Sequence, residues 1–224
     1  MKTIALIPAR GGSKGIPNKN MININGKPLI SYTLELVTKI NFFSSIIISS
    51  DSKDIIEYCR KNYQNVEIHV RSSGLSSDQS PIKDTVYEIL KESDSSIDSL
   101  MLLQPTSPLR SNKNILEAID IFEKNTVFNS LVSVCPMDDL HPARMYWKNK
   151  NTLKPIMKKY QHKRRQDIPL AYYRNGSIYL VRKTLFMEER NILVEPIYGY
   201  EMPRSQLLNI DDFQDLKLAE VLLK

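Results

Sequence analysis

A chain of 224 residues with 42% apolar content is long enough to bury a full core as one domain spanning residues 1–224. It contains no run of about 18 apolar residues, which excludes a spanning helix. The net charge of +6 and pI of about 9.1 would suit nucleic acid, but the surplus is local. It gathers in Lys148, Lys150, Lys154, Lys158, Lys159, Lys163, Arg164 and Arg165, while the rest of the chain is near balance. Such a patch suits a solvated face, an anionic small substrate or a partner subunit, and the run lacks the interleaved aromatics of a nucleic-acid surface. Cys59 and Cys135 sit in apolar contexts without CxxC spacing, as expected of reduced, buried thiols in a cytoplasmic protein. His69, His141 and His162 are scattered, with no zinc-ligand spacing. The first residues open a strand directly, with no signal-peptide pattern.

The apolar run at 3–7 predicts a strand, followed by a glycine-rich basic loop. A helix is expected over 28–39, with Pro28 in its first turn. Residues 45–49 carry the continuous apolar core of a strand buried on both faces. Then come a helix at 54–62, a strand at 66–70, a helix at 82–92 and a strand at 99–103. The helix at 114–123 shows Ile115, Ala118, Ile119 and Phe122 at helical spacing, and 131–135 reads as a strand. This alternation predicts an α/β fold: a mostly parallel, Rossmann-like sheet with right-handed crossovers and helices on both faces. From 136 to 169 the pattern breaks into a polar, basic stretch of poor periodicity, expected to be an inserted segment for dimerisation and acceptor contacts. Strands at 176–181 and 195–200 follow, then a closing helix at 211–223 with Asp211 as its N-cap.

Ligand crevices of open parallel sheets lie at the carboxyl ends of the strands. Polar, turn-rich segments recur at that edge. The first is Pro8-Ala9-Arg10-Gly11-Gly12-Ser13-Lys14-Gly15-Ile16-Pro17-Asn18-Lys19, followed by Asn20. Glycines let a backbone approach a ligand closely, and exposed N–H groups beside fixed cations suit a triphosphate. The run has neither the P-loop order nor the GxGxxG of a dinucleotide fold. Ser49-Ser50-Asp51, then Arg71 with Leu75-Ser76-Ser77-Asp78, then Gln104-Pro105-Thr106-Ser107-Pro108-Leu109-Arg110, then Pro136-Met137-Asp138 follow successive strands.

These segments, together with Asn175-Gly176-Ser177-Ile178-Tyr179 and Asn209-Ile210-Asp211, resemble the acylneuraminate cytidylyltransferase family over nearly the whole chain. The resemblance implies a nucleotide-diphospho-sugar-transferase-like fold, a homodimer and Mg²⁺ as cofactor. It also implies transfer of CMP from CTP to the anomeric hydroxyl of a nine-carbon α-keto acid sugar, with release of pyrophosphate. It assigns Ala9, Arg10, Gly11, Gly12, Ser13, Lys14, Lys19, Asn20, Arg71, Asp78 and Ser80 to the nucleotide. Gln104, Thr106, Ser107, Arg144, Arg165, Tyr173, Arg174 and Asn175 go to the acceptor sugar, and Asp211 to the metal. Arg10, Lys19, Gln104 and Asp211 are the catalytic candidates.

Two departures from the family pattern stand out. Asn209 occupies the first position of an expected Asp-x-Asp pair, so the metal would lean on Asp211 and phosphate oxygens. Arg174 directly precedes Asn175, one position later than the family's carboxylate-gripping arginine, and neighbouring strand positions face opposite sides. A cytidylyltransferase for another sugar, such as Kdo, and a noncatalytic nucleotide- or nucleic-acid-binding module remain the alternatives.

Overall fold

The computed structural model describes residues 1–12, 15–76, 80–137 and 140–224. The strands and helices run β1 (Thr3–Pro8), β2 (Asn23–Ile24), β3 (Lys27–Pro28), α1 (Leu29–Val37), β4 (Ser45–Ser50), α2 (Lys53–Asn62) and β5 (Glu67–Val70). After these come α3 (Ser73–Ser76), α4 (Ile82–Glu92), β6 (Ser99–Leu102), α5 (Asn112–Lys124) and β7 (Ser130–Met137). The last elements are β8 (Tyr146–Asn149), β9 (Thr152–Pro155), β10 (Ala171–Arg182), α6 (Lys183–Glu189), β11 (Ile197–Glu201) and α7 (Phe213–Leu222).

Among the described residues the main sheet has seven strands in the order β11-β7-β10-β6-β1-β4-β5. Only β10 runs against its neighbours; the remaining pairings are parallel. Alternation along β1 divides the core, since successive side chains point to opposite faces. Ala5 and Ile7 join Leu34 of α1, Cys59 of α2 and Phe122 of α5 on one face. Ile4 and Leu6 join Leu90 of α4 and Phe186 of α6 on the other. A third cluster lies beyond the sheet edge. There Ile16, at the end of the glycine loop, packs with Ile24, Leu29, Ile210 and Leu216.

The expected elements are present, with four differences. Pro28 belongs to a small hairpin and caps α1 from outside; Asn25 (φ 48°) and Gly26 (φ 94°) form its turn, an Asn-Gly pair that favours positive φ. Helix α5 starts earlier because Ser111 caps it, with Asn114 closing a capping box. The last helix is capped by Asp212, not Asp211: Asp212 accepts from the backbone N–H groups of Gln214 and Asp215. Asp211 therefore lies outside the helix. Strand β10 starts at Ala171, because a register shift between Arg174 and Tyr179, with Gly176 at φ 74°, lets the chain keep pairing with β7 on both sides of the irregularity. The stretch 136–169 is also more ordered than its periodicity suggests. It contains the end of β7, the β8–β9 hairpin and single 3-10 turns at Pro142–Arg144, Lys158–Tyr160 and Arg165–Asp167.

Candidate active site

The carboxyl ends of β1, β5 and β6 open into a cleft of about 440 Å³. Arg10, Lys19 and Asn20 line it from the glycine loop, and Arg71 and Ser80 from the segment after β5. Gln104, Pro105 and Thr106 contribute from the loop after β6, and Asn209 and Asp211 from the approach to α7. Ser13, Lys14 and Asp78 of the sequence reading lie outside the described residues.

Close backbone contacts fix the glycine loop. Ala9 is buried and donates its N–H to Ser49 O at 2.9 Å. Gly11 N donates to Asp51 Oδ1 at 2.8 Å, and a Cβ on Gly11 would stand 2.9 Å from Ser52 Cβ. Nothing crowds Gly12 within 4 Å. Gly15 is the tightest position: a Cβ there would meet the Asp211 carbonyl oxygen at 2.1 Å, so any side chain would push the Asn209–Asp211 segment away. Ile16 and Ile210, both essentially buried, bind the two segments together, each contributing about 1.5–3 kcal/mol by burial.

Lys19 Nζ donates to Ile210 O at 2.7 Å and Asp211 Oδ1 at 2.9 Å. Asn20 Nδ2 donates to Arg10 O at 3.0 Å, and Ser80 Oγ donates to Gly74 O at 2.7 Å. Arg71 Nε donates to Ser49 Oγ at 2.8 Å. Burial lowers the pKa of Arg71; Asp51 opposes that shift and Arg10 adds to it, so three charged groups share this edge.

The Gln104 loop rests on a buried arginine. Arg110 is 3% exposed and gives its guanidinium protons to Ser177 O, Thr33 Oγ1 (2.7 Å) and, at 3.4 Å, Gln104 O. Burial pushes its pKa down to about 9, which still leaves it charged at neutral pH. Thr106 O accepts from Ile210 N at 2.8 Å, tying this loop to the Asn209–Asp211 segment. A Cβ on Gly176 would lie 3.1 Å from Gln104 Oε1 and 3.8 Å from both Asn209 Oδ1 and Ser107 Oγ. The latter two oxygens are buried with no hydrogen-bond partner among the described residues.

At the Asp211 end the Asn209 amide nitrogen faces the carboxylate, and its oxygen is turned inward near Gly176. Asn209 Nδ2 donates to Asp211 Oδ2 at 2.6 Å, its Oδ1 has no partner among the described residues, and the Asp211 side chain is 68% exposed. Among the described residues no cluster of three or more His, Cys, Asp or Glu groups stands ready for a metal. One carboxylate and one carboxamide fit Mg²⁺, which keeps waters and takes substrate phosphates in place of an all-protein cage.

The remaining acceptor candidates are dispersed. Ser107 is buried under the Gln104 loop. Asn175 is buried, with Oδ1 accepting from Ser133 Oγ and its amide facing Cys135 and Met202 sulfurs, so its polar atoms are engaged inside the protein. Tyr173 is exposed on β10, and Arg174 stacks 5.9 Å from the Tyr179 ring centroid. Arg144 and Arg165 line a separate depression of about 70 Å³ with His141. Sequence reasoning missed Asp51 as the acceptor that holds Gly11, although Ser49-Ser50-Asp51 stood at the right edge. It also missed Arg110, whose burial no local pattern reveals. The Ser111 cap, which starts α5 two residues earlier than expected, was missed as well.

A mostly parallel sheet bearing a cationic cleft at its strand ends is a nucleotide-site architecture. The chain matches the cytidylyltransferase family over residues 4–223 and belongs to it. It is 33% identical to the pseudaminic acid cytidylyltransferase of Campylobacter jejuni, over 100% of this chain and 97% of that protein. The CMP-N,N'-diacetyllegionaminic acid synthase of Legionella pneumophila is 33% identical, with the same coverage. The N-acylneuraminate cytidylyltransferase of Streptococcus agalactiae is 32% identical over 96% of this chain, which spans 52% of that protein. In fold, the chain is similar to a CMP:2-keto-3-deoxy-manno-octonic acid synthetase complexed with CTP (TM-score 0.74, 14% identity, 100% of this chain and 98% of that one).

Proposed function

We propose that this cytidylyltransferase joins CMP to the anomeric hydroxyl of a nine-carbon α-keto acid sugar, a nonulosonate of the pseudaminic, legionaminic or N-acylneuraminic type. The observation that carries the reading is the convergence of Arg10, Lys19 and Arg71 with Gln104 and Asp211 in one cleft of a cytidylyltransferase chain. Full-length similarity to both a pseudaminic and a legionaminic enzyme supports the acceptor class.

In the reaction the anomeric oxygen forms a bond to the α-phosphorus of CTP, the hydroxyl proton passes to solvent, the bond from the α-phosphorus to the bridging oxygen breaks, and pyrophosphate leaves. Such chemistry depends on positioning and charge neutralisation more than on covalent catalysis. Arg10 and Lys19 hold the phosphates and stabilise charge growing on the leaving group. Asn20 steadies the loop and meets the ribose or a phosphate, and Arg71 and Ser80 flank the base end. Gln104 does not ionise, so it orients the hydroxyl and takes no proton from it. Asp211, with Asn209, would hold Mg²⁺, which when bound screens the phosphate charges and favours ionisation of the attacking hydroxyl. Arg174, Arg144 and Arg165 are the cations available to the acceptor's carboxylate; the last two would reach it only from the arm segment. The protein acts as a homodimer in the cytoplasm, with the 136–169 arm at the interface. No helix among the described residues is long and apolar enough to cross a membrane.

The test is pyrophosphate release from CTP with N-acetylneuraminic, pseudaminic, legionaminic and Kdo acceptors, with product mass as confirmation. Turnover with at least one nine-carbon acid and little with Kdo is expected. Turnover confined to Kdo would overturn the acceptor class, and release with none of the acids would overturn the reading as a whole.

A further inference from the structure

Arg71 reaches the cleft from the end of β5 but is anchored away from it. Its Nε donates to Ser49 Oγ at 2.8 Å, and Ser49 is fully buried on β4. In the β4–β5 register Ser49 stands opposite His69, whose Nδ1 lies 3.0 Å from the same Oγ. His69 Nε2 in turn faces Glu88 Oε2 of α4 at 3.5 Å. An arginine Nε can only donate, so Ser49 Oγ accepts from Arg71, and its second lone pair and its own proton are left to pair with His69 Nδ1. Glu88, His69, Ser49 and Arg71 therefore form one continuous chain of polar contacts.

We infer that His69 is a positioning residue for the nucleotide cleft: its ring braces the Ser49 hydroxyl and so holds the Arg71 guanidinium in place. The inference rests on the reading of Arg71 as a nucleotide contact. Removal of the ring would take a partner from Ser49 Oγ in a buried site. A buried polar group stripped of its partner is costly, and the anchoring of Arg71 loosens as a result. His69 also lines a second cavity of about 570 Å³, together with Lys2, Glu67, Glu92 and Asp94.

The experiment measures kcat and KM for CTP and for the acceptor in wild type, His69→Leu, His69→Asn and Arg71→Ala. Losing one buried hydrogen bond should raise the CTP KM of His69→Leu by about fivefold to tenfold, leaving kcat and the acceptor KM within about twofold. In His69→Asn the amide can replace Nδ1 as the partner of Ser49 Oγ, so its CTP KM should stay near wild type. An unchanged CTP KM in His69→Leu, a fall in stability with every kinetic constant moving together, or a CTP KM in His69→Asn as high as in His69→Leu would each overturn the inference. If Arg71→Ala itself leaves the CTP KM unchanged, the nucleotide role of Arg71 fails and takes the inference with it.

Discussion

The cleft and the β8–β9 arm depart from the usual inside–outside pattern in opposite ways. In the cleft, polar groups are drawn inward: Arg110 and Ser107 are nearly fully buried, and Lys19 is held by Ile210 O and Asp211, far away in the sequence. In the arm, apolar groups are turned outward: Trp147 is 67% exposed, Leu153 61% and Tyr146 41%. Buried polar groups without full partners and exposed large apolar ones are the informative exceptions in a folded chain. The first kind belongs where charge is to be handled, the second where another surface is to be covered. The two regions should therefore respond to substitution through different observables.

The largest effect belongs to the cleft. Arg10→Ala should lower kcat/KM for CTP by about 2–4 kcal/mol in transition-state stabilisation with an unchanged Tm. A value near wild type would remove Arg10 from the chemistry. Next is the junction of the glycine loop with the metal segment. Gly15→Ala places a methyl against the Asp211 carbonyl, so it should cost about 1–3 kcal/mol of stability and weaken the Mg²⁺ response as well. Thermal melts and Mg²⁺ titration read the two together.

Asp211→Asn should abolish the Mg²⁺ dependence of the rate, while Asn209→Asp should tighten it, because a hard cation prefers charged oxygen. Since Asp212 is the residue that caps α7, Asp211→Asn should leave that cap intact, and any fall in melting temperature should come from the Lys19 ion pair. An Asp211→Asn rate that keeps its Mg²⁺ response would place the metal elsewhere. In the arm, a Trp147→Ser, Leu153→Ser variant should change stability by no more than about 0.5 kcal/mol, since both side chains are exposed. The same variant should halve the mass seen by light scattering. A wild type that already scatters as a fully active monomer would refute the dimer. The smallest effect is expected at Cys59, whose thiol burial pushes up to about 12: alkylating reagents at pH 8 should leave activity intact.

The sheet was legible because its signal is local. Ile46-Ile47-Ile48 can only be a strand covered on both faces, and Ile115, Ala118, Ile119 and Phe122 draw their own helix stripe. The cleft was legible in outline because a parallel sheet gathers the ends of distant strands. Long-range contacts were not legible. Nothing near Gly15 announces the Asp211 carbonyl, and nothing near Arg110 announces Thr33 and Ser177. The cap of α7 was misplaced by one residue because Asp211 and Asp212 offer the same side chain to the same helix. The arm misled for a further reason: its hairpin strands are exposed on both faces, so no apolar alternation marks them.

The contrast between cleft and arm is tested most directly by hydrogen–deuterium exchange with and without CTP and Mg²⁺. Protection is expected in peptides covering residues 9–20, 71–82, 104–107 and 209–211, with little change over 146–155. Protection concentrated in the arm, with none along the strand-end loops, would contradict the assignment of the nucleotide to the cleft.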